Sequence, residues 1–294
     1  MALTRADIED DTLRHKLRGA HPDFTVLSDE ELHASLERTL AEHPAPGPIW
    51  VFGYGSLIWN PMFRHVERRV GKLTGFHRRF CIWSRAYRGT PKQPGLVLGL
   101  DSGGACRGVA YRLDPTVERE ELALLWRREM VSAAYSPRWL RVSTVHGADG
   151  EDVHALAFVV NRSNPGYAGK MPIEKVISVM TTACGHAGTP AEYLFETVNG
   201  LQAHGLRDTY LLDLRRRLEE CGCHAEPAGK QHGTAHKPGT RDWGKQEVRL
   251  TTSRSILLAD TGRFIDDINN TTNEQGANTA QEIRRRGRQV GDIS

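Results

Sequence analysis

The sequence predicts an α+β fold, with a strand-rich first half followed by a run of helices. Three observations carry this. Between Ile49 and Val160, short apolar runs alternate with turn residues, most clearly at 79–83, 95–100, 108–113, 139–145 and 153–160. From Ile173 onward the apolar spacing becomes helical: Ile173, Val176, Ile177 and Met180, then Tyr193, Leu194 and Val198, then Leu211, Leu214 and Leu218. No internal repeat or low-complexity core interrupts this order. Strands first and helices later define an α+β domain whose sheet can close into a barrel.

Residues 1–46 read as a helical preface. Ser28-Asp29-Glu30-Glu31 is a capping box, with Leu27 and Leu32 where a hydrophobic staple would stand. Leu32, Leu36 and Leu40 stripe a helix that ends near His43, expected to pack on the outside of the main domain. Pro44-Ala45-Pro46-Gly47-Pro48 stops it and forms a stiff connector.

Next comes Trp50-Val51-Phe52-Gly53-Tyr54-Gly55-Ser56-Leu57-Ile58-Trp59, apolar on both sides of a small-residue turn. It predicts a buried strand ending in a tight loop. Gly53 and Gly55 permit φ > 0 and close backbone approach, and consecutive exposed N–H groups there would form an anion-binding nest. From the turn alone, an ordinary hairpin or strand-to-helix turn reads equally well. Further on, Arg88-Gly89-Thr90-Pro91-Lys92-Gln93-Pro94-Gly95 is a loop between strands. Its Arg88 and Lys92 fit either a solvated loop or a rim that attracts carboxylates.

A helix is predicted over 115–130, with Pro115 at its start and Glu118, Glu120 and Glu121 at the positive end of its dipole. Leu122, Leu125 and Trp126 define the buried face, and Glu129 falls on it at i+7 from Leu122. Arg127 and Arg128 are rotated away. A carboxylate facing a core is desolvated, which raises its pKa toward the range useful for proton transfer. Glu129 is therefore the general-base candidate; the alternative is that it pairs with a nearby arginine as structural glue. Asn164-Pro165-Gly166-Tyr167-Ala168-Gly169 is a turn carrying an aromatic residue, and Pro190 starts the second of the later helices.

Composition narrows the function classes. A hydrophobic share of 39% and a charged share of 26% describe a globular chain with a somewhat polar core. A formal net charge of +3 implies no strong nucleic-acid partner. Residues 1–7 lack the apolar core of a signal peptide, and no run of about 18 apolar residues occurs, so a membrane partner is not expected. The cysteines at 81, 106, 184, 221 and 223 are odd in number and scattered, which suits reduced thiols in a cytoplasm. Residues 225–294, rich in Gly, Thr, Asn, Gln and Arg, read as a polar, flexible tail, with a basic cluster at 284–288 too short to define a partner. The expected divisions are 1–46, 47–224 and 225–294. Oligomeric state is not legible.

Several chemistries are excluded by spacing. No Gly-Lys-Ser/Thr follows Gly53-Tyr54-Gly55-Ser56, so it is not a Walker loop. Ser56 is not in a Gly-x-Ser-x-Gly elbow. Cys221-Gly222-Cys223-His224 has no second pair to complete a metal site, and the histidines show no metal spacing around a glutamate.

What remains is a nest-like loop and one buried-face carboxylate, and here the sequence resembles the ChaC-type γ-glutamylcyclotransferases. The blocks that carry the resemblance are Val51 to Trp59, Arg78-Arg79-Phe80, Arg88-Gly89-Thr90-Pro91 with Pro94-Gly95, and Gly108-Val109-Ala110-Tyr111-Arg112-Leu113. Arg128-Glu129, Asn164-Pro165-Gly166-Tyr167 and Glu192-Tyr193-Leu194-Phe195-Glu196 follow in order. Together they span roughly residues 49–220. The resemblance implies a γ-glutamylcyclotransferase-like small mixed β-barrel flanked by helices. It implies cleavage of a γ-glutamyl peptide, glutathione first, into 5-oxoproline and Cys-Gly. By position, Glu129 becomes the catalytic acid/base. Phe52, Gly53, Tyr54, Gly55, Ser56 and Leu57, with Arg88 and Tyr193, become the substrate-binding set. Residues 130–135 depart from the family, which often has a glycine-rich turn there.

The residue chemistry agrees with this expectation. The substrate's α-ammonium must lose a proton before its nitrogen attacks the γ-carbonyl of the same glutamyl unit. Glu129 can take that proton and return one to the leaving amine. Because nucleophile and electrophile share one molecule, holding the folded conformer supplies much of the acceleration. Loop N–H groups can bind the α-carboxylate or the developing oxyanion. Such a reaction requires no metal, nucleotide or other cofactor. Two rivals stay open: the same reaction on another γ-glutamyl amine, and a non-catalytic regulatory protein that keeps the fold.

Overall fold

Apolar strands that are buried on both sides need partners on both edges, and here they obtain them by closing into a barrel. The structure, a computed structural model, describes residues 3–10, 26–44, 46–144 and 151–223. Strands β1 (Trp50–Gly53), β2 (His65–Ser84), β3 (Gly95–Leu113), β4 (Tyr135–Thr144) and β5 (Glu151–Val160) join in the order β1-β3-β2-β4-β5. The ring closes where β1 pairs in parallel with β5, through Trp50 with Ala155 and Val51 with Leu156. All four residues of β1 are buried, because β3 and β5 take both its edges.

The hairpin β2–β3 is longer than the short strands expected at 79–83, 95–100 and 108–113. A single ribbon runs from His65 paired with Leu113 to Ser84 paired with Gly95. Its ladder slips between Thr74 and Phe76, where Gly75 (φ 90°) faces Gly103 (φ 100°) and Gly104 (φ 72°). Glycine reaches these left-handed angles without a Cβ clash, so the ribbon bends there and resumes pairing. Gly75 bends β2 and Gly103 with Gly104 bends β3 at the same level, so each strand continues through the bend.

Seven helices are described around the barrel: α1 (Arg5–Glu9), α2 (Asp29–Ala41), α3 (Ser56–Trp59), α4 (Glu118–Glu129), α5 (Ile173–Thr182), α6 (Pro190–Ala203) and α7 (Thr209–Glu220). The barrel and the helices share one apolar cluster in which Phe52, Phe80, Leu98, Val109, Trp126 and Phe158 are each at most 1% exposed. Burying a side chain of this size contributes about 1.5–3 kcal/mol. The Ser28 capping box is present, with Ser28 N–H on Glu31 Oε2 at 2.7 Å. Helix α2 lies against α4 and β4, as expected for an outer helix: Trp126 Nε1 donates to Ser35 Oγ at 3.3 Å and Trp139 Nε1 to the Thr39 carbonyl at 2.6 Å.

Helix α4 begins at Glu118 rather than at Pro115. The Asp114 carboxylate accepts from the Thr116 N–H at 3.0 Å and hydroxyl at 2.7 Å, holding 114–116 as a side-chain-capped turn ahead of the helix. Leu122, Leu125 and Trp126 are buried as the spacing predicted, and so is Glu121 at 1% exposure. Arg5 of α1 donates to both Glu121 carboxylate oxygens, at 3.0 and 2.9 Å, which docks the amino-terminal segment on α4. Helix α6 starts with a capping box between Thr189 and Glu192 and with Pro190 in its first turn. No helix among the described residues is long and apolar enough to cross a membrane. The tail expected at 225–294, with its basic cluster, lies outside the described residues.

Candidate active site

The site is assembled where the end of β1, the end of α4 and the face of α6 meet. Strand β1 delivers Gly53-Tyr54-Gly55 into the short helix α3. Neither glycine takes the positive φ expected of it; Gly55 sits at φ −134°. Their smallness serves packing instead. A Cβ on Gly55 would lie 2.8 Å from the Tyr193 hydroxyl, and one on Gly53 would lie 3.1 Å from the Tyr111 ring. The loop is held from below: Arg78, buried at 4% exposure, donates to the Tyr54 carbonyl at 3.0 Å, and Tyr54 Oη donates to the Phe158 carbonyl at 2.8 Å.

Gly55→Ala is accordingly expected to push Tyr193 away from the loop and to lower turnover about 100-fold, since displacements near 1 Å at a reacting centre cost that much. Gly53→Ala, whose neighbours sit at 3.1–3.4 Å, should cost less. Steady-state kinetics on both variants checks this; equal effects would mean that contact with Tyr193 is not the reason for Gly55.

Glu129 is the last residue of α4, and its side chain is 13% exposed. Burial raises its pKa above the usual 4.5, and the neighbouring Arg128 opposes the rise without overcoming it. The buried phenols Tyr54, Tyr135 and Tyr193 are raised first by their own burial and further by the Glu129 charge, Tyr193 to about 12. All three therefore stay protonated at neutral pH, as hydrogen-bonding groups around one carboxylate.

Two adjoining cavities open here. An inner one, about 20 Å³, is lined by Tyr54, Gly55, Ser56 and Leu57 together with Glu129 and Tyr135. An outer one, about 180 Å³, shares Ser56, Glu129, Tyr135 and Tyr193 with it and adds Arg88 and Arg128. Glu129 and the loop at 54–57 therefore face the same space. Phe52 and Gly53 do not reach either cavity. Both belong to β1, and the Phe52 ring is fully buried against Gly108 of β3, where an added Cβ would come within 2.7 Å of it.

Arg88 resolves the two readings of its loop. It is 7% exposed, with Nη1 donating to the Thr189 carbonyl at 3.2 Å and Nη2 meeting Glu196 Oε2 at 3.3 Å. Its guanidinium also lies 5.5 Å from the centre of the Tyr193 ring. Lys92 is exposed. The loop is thus solvated at its tip and buried at its base.

Arg128 corrects the sequence reading, which rotated it away from the site. Its side chain is 7% exposed; Nε meets Glu129 Oε1 at 2.9 Å and Nη2 donates to Ser56 Oγ at 2.9 Å. Nη1 donates to the Asn60 carbonyl at 2.6 Å. The pairing with Glu129 foreseen as structural glue exists, and the same arginine also ties Glu129 to the loop. Tyr135 and Arg78 were likewise not singled out as site residues, because each becomes relevant only through contacts distant in sequence. In the departing segment 130–135, Ala133 adopts φ 52°. An L-residue pays roughly 1–2 kcal/mol for that conformation. Asn161 and Asn164 hold the turn by donating to the carbonyls of Ala133 at 3.1 Å and Ser132 at 3.0 Å.

The family model for ChaC-like protein matches residues 49–221. The chain belongs to the ChaC-like family. Among curated relatives, it is 41% identical over 196 residues to the glutathione-specific gamma-glutamylcyclotransferase of Escherichia coli K12, covering 67% of this chain and 84% of that one. It is 34% identical over 192 residues to the human glutathione-specific gamma-glutamylcyclotransferase 1, covering 62% and 85%. Among solved structures, a yeast gamma-glutamyl cyclotransferase specific to glutathione superposes with a TM-score of 0.54 at 23% identity, covering 58% of this chain and 96% of that one. That likeness confirms the small mixed barrel with flanking helices as the ChaC-like fold.

Proposed function

We propose that this ChaC-like protein cleaves glutathione to 5-oxoproline and Cys-Gly, with Glu129 as general acid/base. The observation that carries the proposal is a desolvated carboxylate, of raised pKa, facing the same cavity as the loop at 54–57. The names of the relatives supply the substrate class, γ-glutamyl-cysteinyl-glycine.

In this reading Glu129 takes a proton from the substrate's α-ammonium, and the freed nitrogen attacks the γ-carbonyl carbon. The new C–N bond closes the five-membered ring. Collapse of the tetrahedral species breaks the bond to the cysteinyl nitrogen, which leaves as an ammonium after taking the proton held by Glu129 and the second proton of the ring nitrogen. No water is consumed. The N–H groups of Ser56 and Leu57, at the start of α3 and on the wall of the inner cavity, serve the α-carboxylate or the oxyanion. Ser56 positions the glutamyl unit beside the protonated Tyr193. Phe52 and Gly53 support the loop from β1 without touching substrate, and Arg88 fixes the Tyr193 ring from behind. The catalytic domain spans 47–224, with 1–46 as an extension whose described helices pack on it. The free cysteines among the described residues suit work in a reducing cytoplasm.

Incubating the purified protein with glutathione, γ-glutamyl-alanine and γ-glutamylcysteine, then quantifying 5-oxoproline, tests the reading. Glutathione should be the preferred donor. Release of 5-oxoproline mainly from the dipeptides would redirect the substrate; none from any donor would sink the enzymatic reading.

A further inference from the structure

The leaving half of glutathione, Cys-Gly, ends in a carboxylate, so a site built for it should offer that anion a cation. Among the described residues, three cations line the outer cavity, Arg85, Arg88 and Arg128. Two are committed. Arg88 is held by Thr189, Glu192 and Glu196, and Arg128 by Glu129, Ser56 and Asn60. Arg85 is partly buried and makes no hydrogen bond or ion pair with any described residue. Two residues along the same loop, Tyr87 places its hydroxyl in a buried position with no hydrogen-bond partner among the described residues. Tyr87 also lines the outer cavity, and a buried hydroxyl left unsatisfied is costly.

We propose that Arg85 and Tyr87 form the carboxylate subsite for the C-terminal glycine of the γ-glutamyl peptide. The inference rests on the cyclotransferase reading and extends it to the leaving-group side. The inner cavity, too small for a whole γ-glutamyl unit, opens into the outer one at Ser56, Glu129, Tyr135 and Tyr193, which puts the γ-glutamyl unit at that end; Arg85 and Tyr87 line only the outer cavity. The loop that carries them is ordered before any ligand arrives. Arg88 N–H donates to Ser84 Oγ at 3.0 Å, and Ala187 N–H donates to the Tyr87 carbonyl at 2.8 Å. Gly185 packs so close that a Cβ there would lie 2.1 Å from that carbonyl oxygen. Such preorganisation lowers the entropic cost of binding. Burial, with the charges of Asp7 and Glu129, keeps the Tyr87 phenol protonated and able to donate. Asp7 is itself bonded to the Thr4 N–H and hydroxyl and does not line the cavity, and among the described residues the one carboxylate that does is Glu129. The guanidinium supplies charge and the phenol a second donor, a pairing that distinguishes a free carboxylate from its amide.

The test compares glutathione with γ-glutamyl-cysteinyl-glycinamide, in which the terminal carboxylate is neutral, by steady-state release of 5-oxoproline. Wild type should favour glutathione about tenfold or more in kcat/KM, carried mainly by KM. Arg85→Gln should lose on glutathione but not on the amide, so that the preference collapses. Arg85→Lys should keep part of it, and Tyr87→Phe should lose several-fold on glutathione alone. Equal turnover of both donors by wild type, or equal losses on both by Arg85→Gln, overturns the subsite while leaving the cyclotransferase reading intact. Absence of 5-oxoproline from both donors with wild type overturns both readings.

Discussion

Glu129→Gln is expected to lower 5-oxoproline formation by at least about 1,000-fold, because the amide keeps the shape of the carboxylate but cannot accept the α-ammonium proton. The same substitution should not harm the fold. Burial outweighs Arg128 in setting the Glu129 pKa, so the folded protein holds the carboxyl proton more tightly than the unfolded chain does. That contribution to stability is full below the unfolded glutamate value and is lost as pH rises through the higher folded value. Above the raised pKa the carboxylate is ionised and buried, and there the glutamine variant should match or exceed wild type in Tm. As pH falls below the raised pKa that advantage should shrink. For catalysis the sign is opposite: the base must be ionised, so kcat/KM falls as pH drops through the raised pKa, giving an acid limb above the usual 4.5. Turnover by the variant within tenfold of wild type would remove Glu129 from the proton path. A Tm difference independent of pH would mean that the carboxylate is not desolvated.

Arg128→Met should cut turnover at pH 7 by about 100-fold and shift the acid limb, whereas Glu129→Gln removes that limb altogether. Arg128 is the cation that holds the Glu129 pKa down against burial. Without it the carboxyl rises further, less of the base is ionised at neutral pH, and the acid limb moves upward. Raising the pH should then recover part of the activity. The remaining loss comes from position. Arg128 also anchors Ser56 Oγ at 2.9 Å and the Asn60 carbonyl at 2.6 Å, so the loop and the carboxylate lose their common strut. Arg128→Lys keeps a charge but not the planar fork that reaches both partners, and should fall between. The measurement is a kcat/KM profile from pH 5 to 9 for wild type and the two variants, with Tm alongside. An acid limb that stays in place in Arg128→Met would show that Arg128 does not set the ionisation of Glu129.

Glu129 was legible from sequence because helical spacing alone puts i+7 on the face of Leu122. Local signals also defined the Ser28 capping box, the start at Pro190 and the stripe of Leu211, Leu214 and Leu218; each is present where expected, and the three leucines are buried. The long β2–β3 ribbon was read as separate strands because Gly75, Gly103 and Gly104 give the same local signal for a bend as for a turn. Which of the two occurs depends on whether the strand beyond the bend finds a partner.

The sequence by itself determined the order of strands and helices, the buried strand leading into the loop at 54–57, and the carboxylate placed to serve it. The tertiary structure alone decided what surrounds them. Helical rotation put Arg128 off the buried face, yet α4 ends at Glu129, and a long guanidinium side chain reaches around that end to Ser56, 72 residues earlier. Arg88 could have been solvated until α6 brought Glu192 and Glu196 to it from more than 100 residues away. Gly53 and Gly55 looked like residues chosen for backbone freedom. They are small because Tyr111 and Tyr193 occupy the space where a Cβ would stand. Periodicity records which face of an element is buried, but not which neighbour covers it, and at this site the neighbours set the charge and the shape.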